Sequence, residues 1–404
     1  MTQHFQIAKK VITRLIENGY QAYIVGGWVR DYLMDHPSDD IDIATNAAPN
    51  VIQKIFPKTI SVGIQFGIII VVEQDHQYEL ATFRQDQEYL DGRRPKGIKF
   101  CDAEQDAMRR DFTINGLFYD PIKDSIYDFV SGKKDIKLKL IRAIGDPKKR
   151  FSEDKLRMIR AIRYAARFGF SIESSTARAI KENAKNLFPS VAIERIYSEL
   201  QKMSAFPNFH IALIELHKFG LIQELFPHTK DLSHEALSCR VQRIPYFPSS
   251  SPVISKVLEL FTVGELKKPL TLFKYLKLSK KEQNFANYYL STKHILFDPI
   301  DIDRYEWAHI AANQWFHVVV SICSTYYESN EKALFLSKYT SLHSQLKKYI
   351  VRIKTNKPIL TSADLKKAGI PEGPYMGKLL SKGERFAINN DIEDPGIIIK
   401  NIIN

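Results

Sequence analysis

Residues Tyr23 to Asn46 read YIVGGWVRDYLMDHPSDDIDIATN, and the fold turns on how this stretch is parsed. The apolar run Tyr23-Ile24-Val25 predicts a short buried strand. It delivers Gly26-Gly27 to a tight turn, where no side chain keeps a phosphate away from the backbone. Arg30 and Asp31 follow in the first turns of a helix predicted over Trp28–Met34, which His36-Pro37-Ser38 breaks. Asp39-Asp40-Ile41-Asp42-Ile43 then alternates acid and apolar residues with the period of a half-buried strand. That period puts Asp40 and Asp42 on one face and Ile41 and Ile43 on the other. Two carboxylates side by side on a rigid strand, next to a backbone cradle, suit divalent magnesium and a nucleoside triphosphate held together. The triplet D-x-D alone is common. Asp301-Ile302-Asp303 has no glycine turn before it and carries no such implication.

Composition bounds the rest. A chain of 404 residues, 44% hydrophobic and 26% charged, is an ordinary globular protein with room for two or more domains. Its formal charge of +12 favours a polyanionic partner such as RNA or an acidic membrane surface. Cys101, Cys239 and Cys323 are widely separated, which excludes a disulfide framework or zinc spacing and fits a reducing cytoplasm. The N-terminus is amphipathic, with Ile7, Val11, Ile12 and Leu15 on one side, and no stretch reaches transmembrane length.

The ordered set Gly26, Gly27, Val29, Arg30, Asp31, Asp40 and Asp42 closely resembles the first motif, G-G-x-V-R-D followed by D-x-D, of the class II nucleotidyltransferases. These are the CCA-adding tRNA nucleotidyltransferases and the bacterial poly(A) polymerases. The resemblance implies an α+β protein: a polymerase-β-like head with a small mixed sheet, followed by an all-α neck, body and tail. It also implies two-metal nucleotidyl transfer, with Asp40 and Asp42 holding Mg2+ and Gly26, Gly27 and Arg30 binding nucleotide. Boundaries are expected at 1–140 for the head, 141–205 for the neck, 206–300 for the body and 301–404 for a tRNA-binding tail.

Further motifs follow in family order. Glu79, in the strand-like run Tyr78–Arg84, reads by itself as a solvated strand position. In the family the E-x-A-T-F-R strand lies beside D-x-D, which makes Glu79 the candidate third acid. Arg84–Phe100 reads as a basic loop and resembles the flexible loop of full CCA-adding enzymes, which Tyr89, Asp91, Arg93, Arg94 and Pro95 match. Arg109-Arg110-Asp111-Phe112-Thr113-Ile114-Asn115 matches R-R-D-x-x-x-N. An isolated RRD reads as a salt-bridged surface helix. In this context Arg110 would meet phosphate, while Asp111 and Asn115 on the same helical face would meet ribose hydroxyls.

A long helix is predicted from Phe151, with Ser152 as N-cap and Leu156, Ile159, Ile162 and Ala166 as its buried stripe. Asp154, Arg157 and Arg160 line a neighbouring face. A carboxylate accepts from an exocyclic amine and a guanidinium donates to a ring nitrogen or carbonyl, so Asp154 and Arg157 can imitate a Watson–Crick edge and favour CTP and ATP. The family's E-D-x-x-R motif matches Glu153, Asp154 and Arg157, and its further basic positions match Arg160 and Arg163. Glu194, Arg195 and Glu199 match E-R-x-x-x-E and read as structural: Arg195 has both acids in helical reach and could brace the nucleotide-selecting helix.

The resemblance covers about residues 1–226 closely and the rest loosely. Pro227–Val253 reads as a loop or irregular linker, Lys267–Lys281 as a basic helix and Thr361-Ser362-Ala363-Asp364 as a helix start. CCA-adding and poly(A)-adding enzymes share all these motifs. Many poly(A) polymerases carry a basic pair and a histidine where this chain has Val62-Gly63-Ile64-Gln65-Phe66-Gly67-Ile68-Ile69. CCA addition to tRNA is therefore the expectation, poly(A) tailing the first alternative, and a non-catalytic RNA-binding protein the second.

Overall fold

The computed structural model describes residues 2–36, 38–86, 97–262, 264–266, 268–299 and 301–403. Tyr89, Asp91, Arg93, Arg94 and Pro95 of the expected loop lie outside the described residues. The chain forms two compact units, Met1–Cys239 and Arg240–Asn404.

The first unit opens with helix α1 (Gln3–Glu17), where the Thr2 side chain accepts from the Phe5 amide. Strand β1 (Ala22–Val25), helix α2 (Gly27–Leu33), strand β2 (Asp42–Thr45) and helix α3 (Pro49–Ile55) follow. Strands β3 (Thr59–Ile60), β4 (Ile68–Glu73) and β5 (His76–Thr82) come next, then the hairpin β6 (Arg84–Asp86) and β7 (Ile98–Phe100), helix α4 (Ala103–Met108), and strands β8 (Leu117–Asp120) and β9 (Ser125–Asp128). Seven strands make one mixed sheet in the order β3-β4-β5-β2-β1-β8-β9. Strand β2 runs antiparallel to β1 and parallel to β5. Ile41, Ile43, Tyr78 and Leu80 join Phe5, Ile12 and Leu15 of α1 in the larger core on one face. Val25, Ala44, Phe83 and Phe118 form a smaller core with Ala103 and Ala107 of α4 on the other. The acids of β2 and β5 project on that second side, beside the smaller core.

Helices α5 (Gly132–Lys137), α6 (Pro147–Glu153), α7 (Leu156–Phe168), α8 (Ser174–Asn183) and α9 (Ile193–Ser204) complete the part that matters for the site. The predicted stripe Leu156, Ile159, Ile162 and Ala166 is buried. Its helix differs from the prediction, however. Asp146 caps α6 by accepting from the Lys148 amide, with Pro147 at the first helical position. Ser152 therefore lies inside α6, and the chain breaks at Asp154, whose backbone is extended (φ −145, ψ 104), before α7 begins.

The second unit is helical. Where a loop was expected over Pro227–Val253, a helix runs over His234–Val241. Asp303 caps the helix Arg304–Ala312 in a reciprocal pairing with Glu306, which accounts for the second D-x-D. Thr361 and Asp364 cap Ser362–Lys367 in the same way. Within this unit Glu259 is buried and accepts from Tyr289 and Lys293 at 3.0 Å each, and from Tyr326. Among the described residues no helix is long and apolar enough to cross a membrane.

Candidate active site

The turn between β1 and α2 opens on a cavity of about 810 Å³ within the first unit. Gly26 adopts φ +71 there, and a Cβ on it would meet a guanidinium nitrogen of Arg110 at 3.3 Å. Both reasons call for glycine. Asp42 begins β2, and Asp40 lies just upstream of the strand rather than within it. Asp42 and Glu79 are direct partners across the parallel β2–β5 ladder, so the two acids share one face.

Burial, then the negative charges of Glu79 and Asp40, push Asp42 up to about 6, while Arg110 pulls the other way. Asp42 is open to the cavity, where water tempers the effect of burial and the neighbouring carboxylates still act on it. Crowded acids facing a cavity are the donor chemistry a hard divalent cation takes. No three His, Cys, Asp or Glu side chains among the described residues form a coordination group by themselves. A cation here would need substrate and water oxygens, as Mg2+ commonly does.

Arg30 lines the cavity but is only 3% exposed. Its Nε donates to Asp31 at 2.8 Å and one terminal nitrogen to Asn115 Oδ1 at 2.6 Å. The guanidinium also lies 4.6 Å from the centre of the Phe168 ring on α7. Arg30 thus fixes Asn115 and ties α2 to α7, a role that the sequence did not indicate.

Arg110, Asp111 and Asn115 do not share a helix face as expected. Helix α4 ends at Met108, and only Thr113–Asn115 forms a short tight turn. Arg109 and Arg110 both turn back on Asp106: burial alone would raise this acid, but ion pairs with Arg110 and Arg109 hold it below its usual range. Asp111 accepts from its neighbour's amide at Phe112, from Asn115 Nδ2 at 3.1 Å and from Arg160 Nε at 2.8 Å. Burial would raise Asp111, yet Arg160 outweighs it and brings the acid down to about 2.

On α7 and its approach, Arg157 donates to Glu153 at 2.7 Å and to the Arg150 carbonyl at 3.0 Å. Arg163 donates to Glu199 of α9 at 2.7 Å. Asp154, Arg157, Arg160 and Arg163 all line the cavity, as do Gly26, Gly27, Asp40 and Asp42. Glu79 does not, standing one strand behind Asp42. Arg195, expected to brace the nucleotide-selecting helix, does so by reaching Asp154 across 41 residues of sequence at 2.9 Å. Arg167 and Lys202 also line the cavity. Nothing in their spacing gave them away.

A glycine turn, an acidic strand pair and a basic helix around one cavity define a nucleotidyltransferase head. Residues 22–142 match the family described as "Poly A polymerase head domain", and residues 169–232 match "Probable RNA and SrmB- binding site of polymerase A". The CCA-adding enzyme of Pediococcus pentosaceus is 31% identical over 407 residues, spanning 100% of this chain and 98% of the relative. That of Bacillus pumilus is 35% identical over 85% of this chain and 83% of the relative. A solved structure, Bacillus stearothermophilus CCA-adding enzyme in complex with CTP, matches with a TM-score of 0.84 at 27% identity, covering 99% and 98% of the two chains. The chain belongs to the class II family of CCA-adding enzymes and poly(A) polymerases, and is a nucleotidyltransferase of that family. The reading as a non-catalytic RNA-binding protein is thereby set aside.

Proposed function

We propose that this enzyme adds CCA to tRNA 3′ ends from CTP and ATP, in the cytoplasm and without a nucleic-acid template. The observation that carries the reading is the convergence of Asp40, Asp42, the Gly26-Gly27 turn, Asp154 and Arg157 on one cavity. The 3′-hydroxyl of the RNA attacks the α-phosphate of the nucleoside triphosphate, and pyrophosphate leaves. Asp40 and Asp42, with Glu79 behind them, would hold Mg2+, which would supply charge neutralisation for the triphosphate and the reacting oxygens. The amides of the glycine turn receive phosphate oxygens. Asp111 and Asn115 orient the ribose, and Arg110, Arg160 and Arg163 supply positive charge around the phosphates. Asp154 accepts from the exocyclic amine that cytosine and adenine share, and Arg157 donates to the adjacent ring acceptor. The names of the relatives and the lack of a basic pair near Val62–Ile69 support CCA addition over poly(A) tailing. The division into head (1–140), neck (141–205), body (206–300) and tRNA-binding tail (301–404) belongs to the same reading.

The test is incubation of the protein and Mg2+ with tRNA lacking its CCA end, giving CTP and ATP separately and together, with an unstructured RNA beside it. Growth by three nucleotides that then stops supports the proposal. Open-ended tailing of either RNA with ATP alone makes this a poly(A) polymerase instead.

A further inference from the structure

Asp154 hangs from the short extended link between α6 and α7, outside either helix. A carboxylate on such a link has two soft side-chain torsions and needs outside support to keep one orientation. It finds support at both oxygens. Oδ1 accepts from the Leu156 amide at 3.0 Å, and Oδ2 accepts from Arg195 at 2.9 Å. The first bond comes from the link itself and follows whatever the link does. The second comes from a different element.

Helix α9 is anchored independently, with Ile196, Leu200 and Met203 buried. It also braces α7 through Glu199, which accepts from Arg163 at 2.7 Å. Arg195 and Asp154 are 22% and 18% exposed at their side chains, and both line the cavity, so their pairing faces it.

We infer that Arg195 is a positioning residue for nucleotide selection: it sets the plane of the Asp154 carboxylate, and through it the discrimination of CTP and ATP from UTP and GTP. This rests on the base-reading role of Asp154 proposed above. Each carboxylate oxygen offers two lone pairs, so both can accept from protein and still present an acceptor to the cavity. An acceptor fixed in the plane of the base attracts the amine of cytosine or adenine and repels the carbonyl oxygen of uracil or guanine. Released from Arg195, the carboxylate turns about its last torsion and the repulsion is lost. The bond that held it is charge-assisted and therefore among the stronger kinds.

The experiment measures kcat/KM for all four nucleoside triphosphates on tRNA substrates, using the whole chain and the variants Arg195→Ala, Arg195→Lys and Asp154→Ala. Arg195→Ala should lower the CTP-to-UTP ratio about tenfold, the loss expected for one charge-assisted hydrogen bond. Arg195→Lys should restore much of it. Should the alanine variant fail to fold by its melting curve, Arg195→Gln, which keeps the size and a donor without the charge, replaces it. An equal fall for all four nucleotides with an unchanged ratio overturns the inference and leaves Arg195 a mere brace. If Asp154→Ala itself leaves the ratio unchanged, the base-reading role is what fails. If it lowers the ratio while Arg195→Ala does not, only the positioning role fails.

Discussion

Replacing Asp42 with asparagine should abolish nucleotidyl transfer and yet make the metal-free protein more stable. Folding lifts this acid from 3.8 to about 6, through burial and the charges of Glu79 and Asp40. An acid raised by folding contributes stability that is full below the unfolded value and is lost as the pH climbs through the folded one. Above about pH 6 the wild-type protein thus carries a penalty that the amide lacks. That rise corresponds to about 3 kcal/mol at full strength. Asp42 is open to water in the cavity, and screening reduces this to about 1 kcal/mol. For a unit of this size that is about 2–4 °C in melting temperature. Melting curves in EDTA at pH 8 and pH 5 provide the assay: Asp42→Asn should melt higher at pH 8, with the difference narrowing at pH 5. Excess Mg2+ should raise the wild type and leave the variant nearly unmoved. Equal melting at pH 8 in EDTA, or a difference indifferent to pH, would refute the claim that the three acids strain one another.

Gly26→Ala should lower kcat/KM and cost about 1 kcal/mol in denaturant unfolding, since it puts a side chain at φ +71 and within 3.3 Å of Arg110. Asp111→Asn should raise the KM for nucleotides and cost about 2 kcal/mol at pH 7 by leaving Arg160 unpaired. The wild-type acid sits at about 2, so its contribution is present above about pH 4 and vanishes only as the pH falls through 2; the two melting curves should converge there. Gly132→Ala should destabilise by about 1–3 kcal/mol, read by urea titration, because its Cβ would meet the Thr113 carbonyl oxygen at 2.2 Å and the backbone must move.

What the sequence disclosed was local and periodic. The strand at Tyr23–Val25, the glycine turn and the alternation Asp40-Ile41-Asp42-Ile43 each express themselves within a few residues. Helix boundaries were less legible. Gly145-Asp146-Pro147 reads as a turn, although Asp-Pro is also the start signal of a helix, and it is the start of α6 that displaces Asp154 from the helix supposed to carry it. Arg109 and Arg110 pair with Asp106, a buried acid that the sequence reading did not single out. Partners distant in sequence left no trace, apart from the reading of Arg195 as a brace for the nucleotide-selecting helix. Arg30 with Asn115, Asp111 with Arg160 and Asp154 with Arg195 are brought together only by the packing of α2, α7 and α9 around the sheet.

The shared rung of Asp42 and Glu79 makes the sheet a ruler for the chemistry. Sliding β5 by one residue against β2 would carry Glu79 to the opposite face and drag Tyr78 and Leu80, both fully buried, into water. The spacing between these two acids is therefore guarded by the hydrophobic core, not by contacts among the acids themselves. Such a site does not loosen by degrees. It keeps its dimensions until the head melts, so activity should decline with temperature in step with unfolding of the sheet, and not before it.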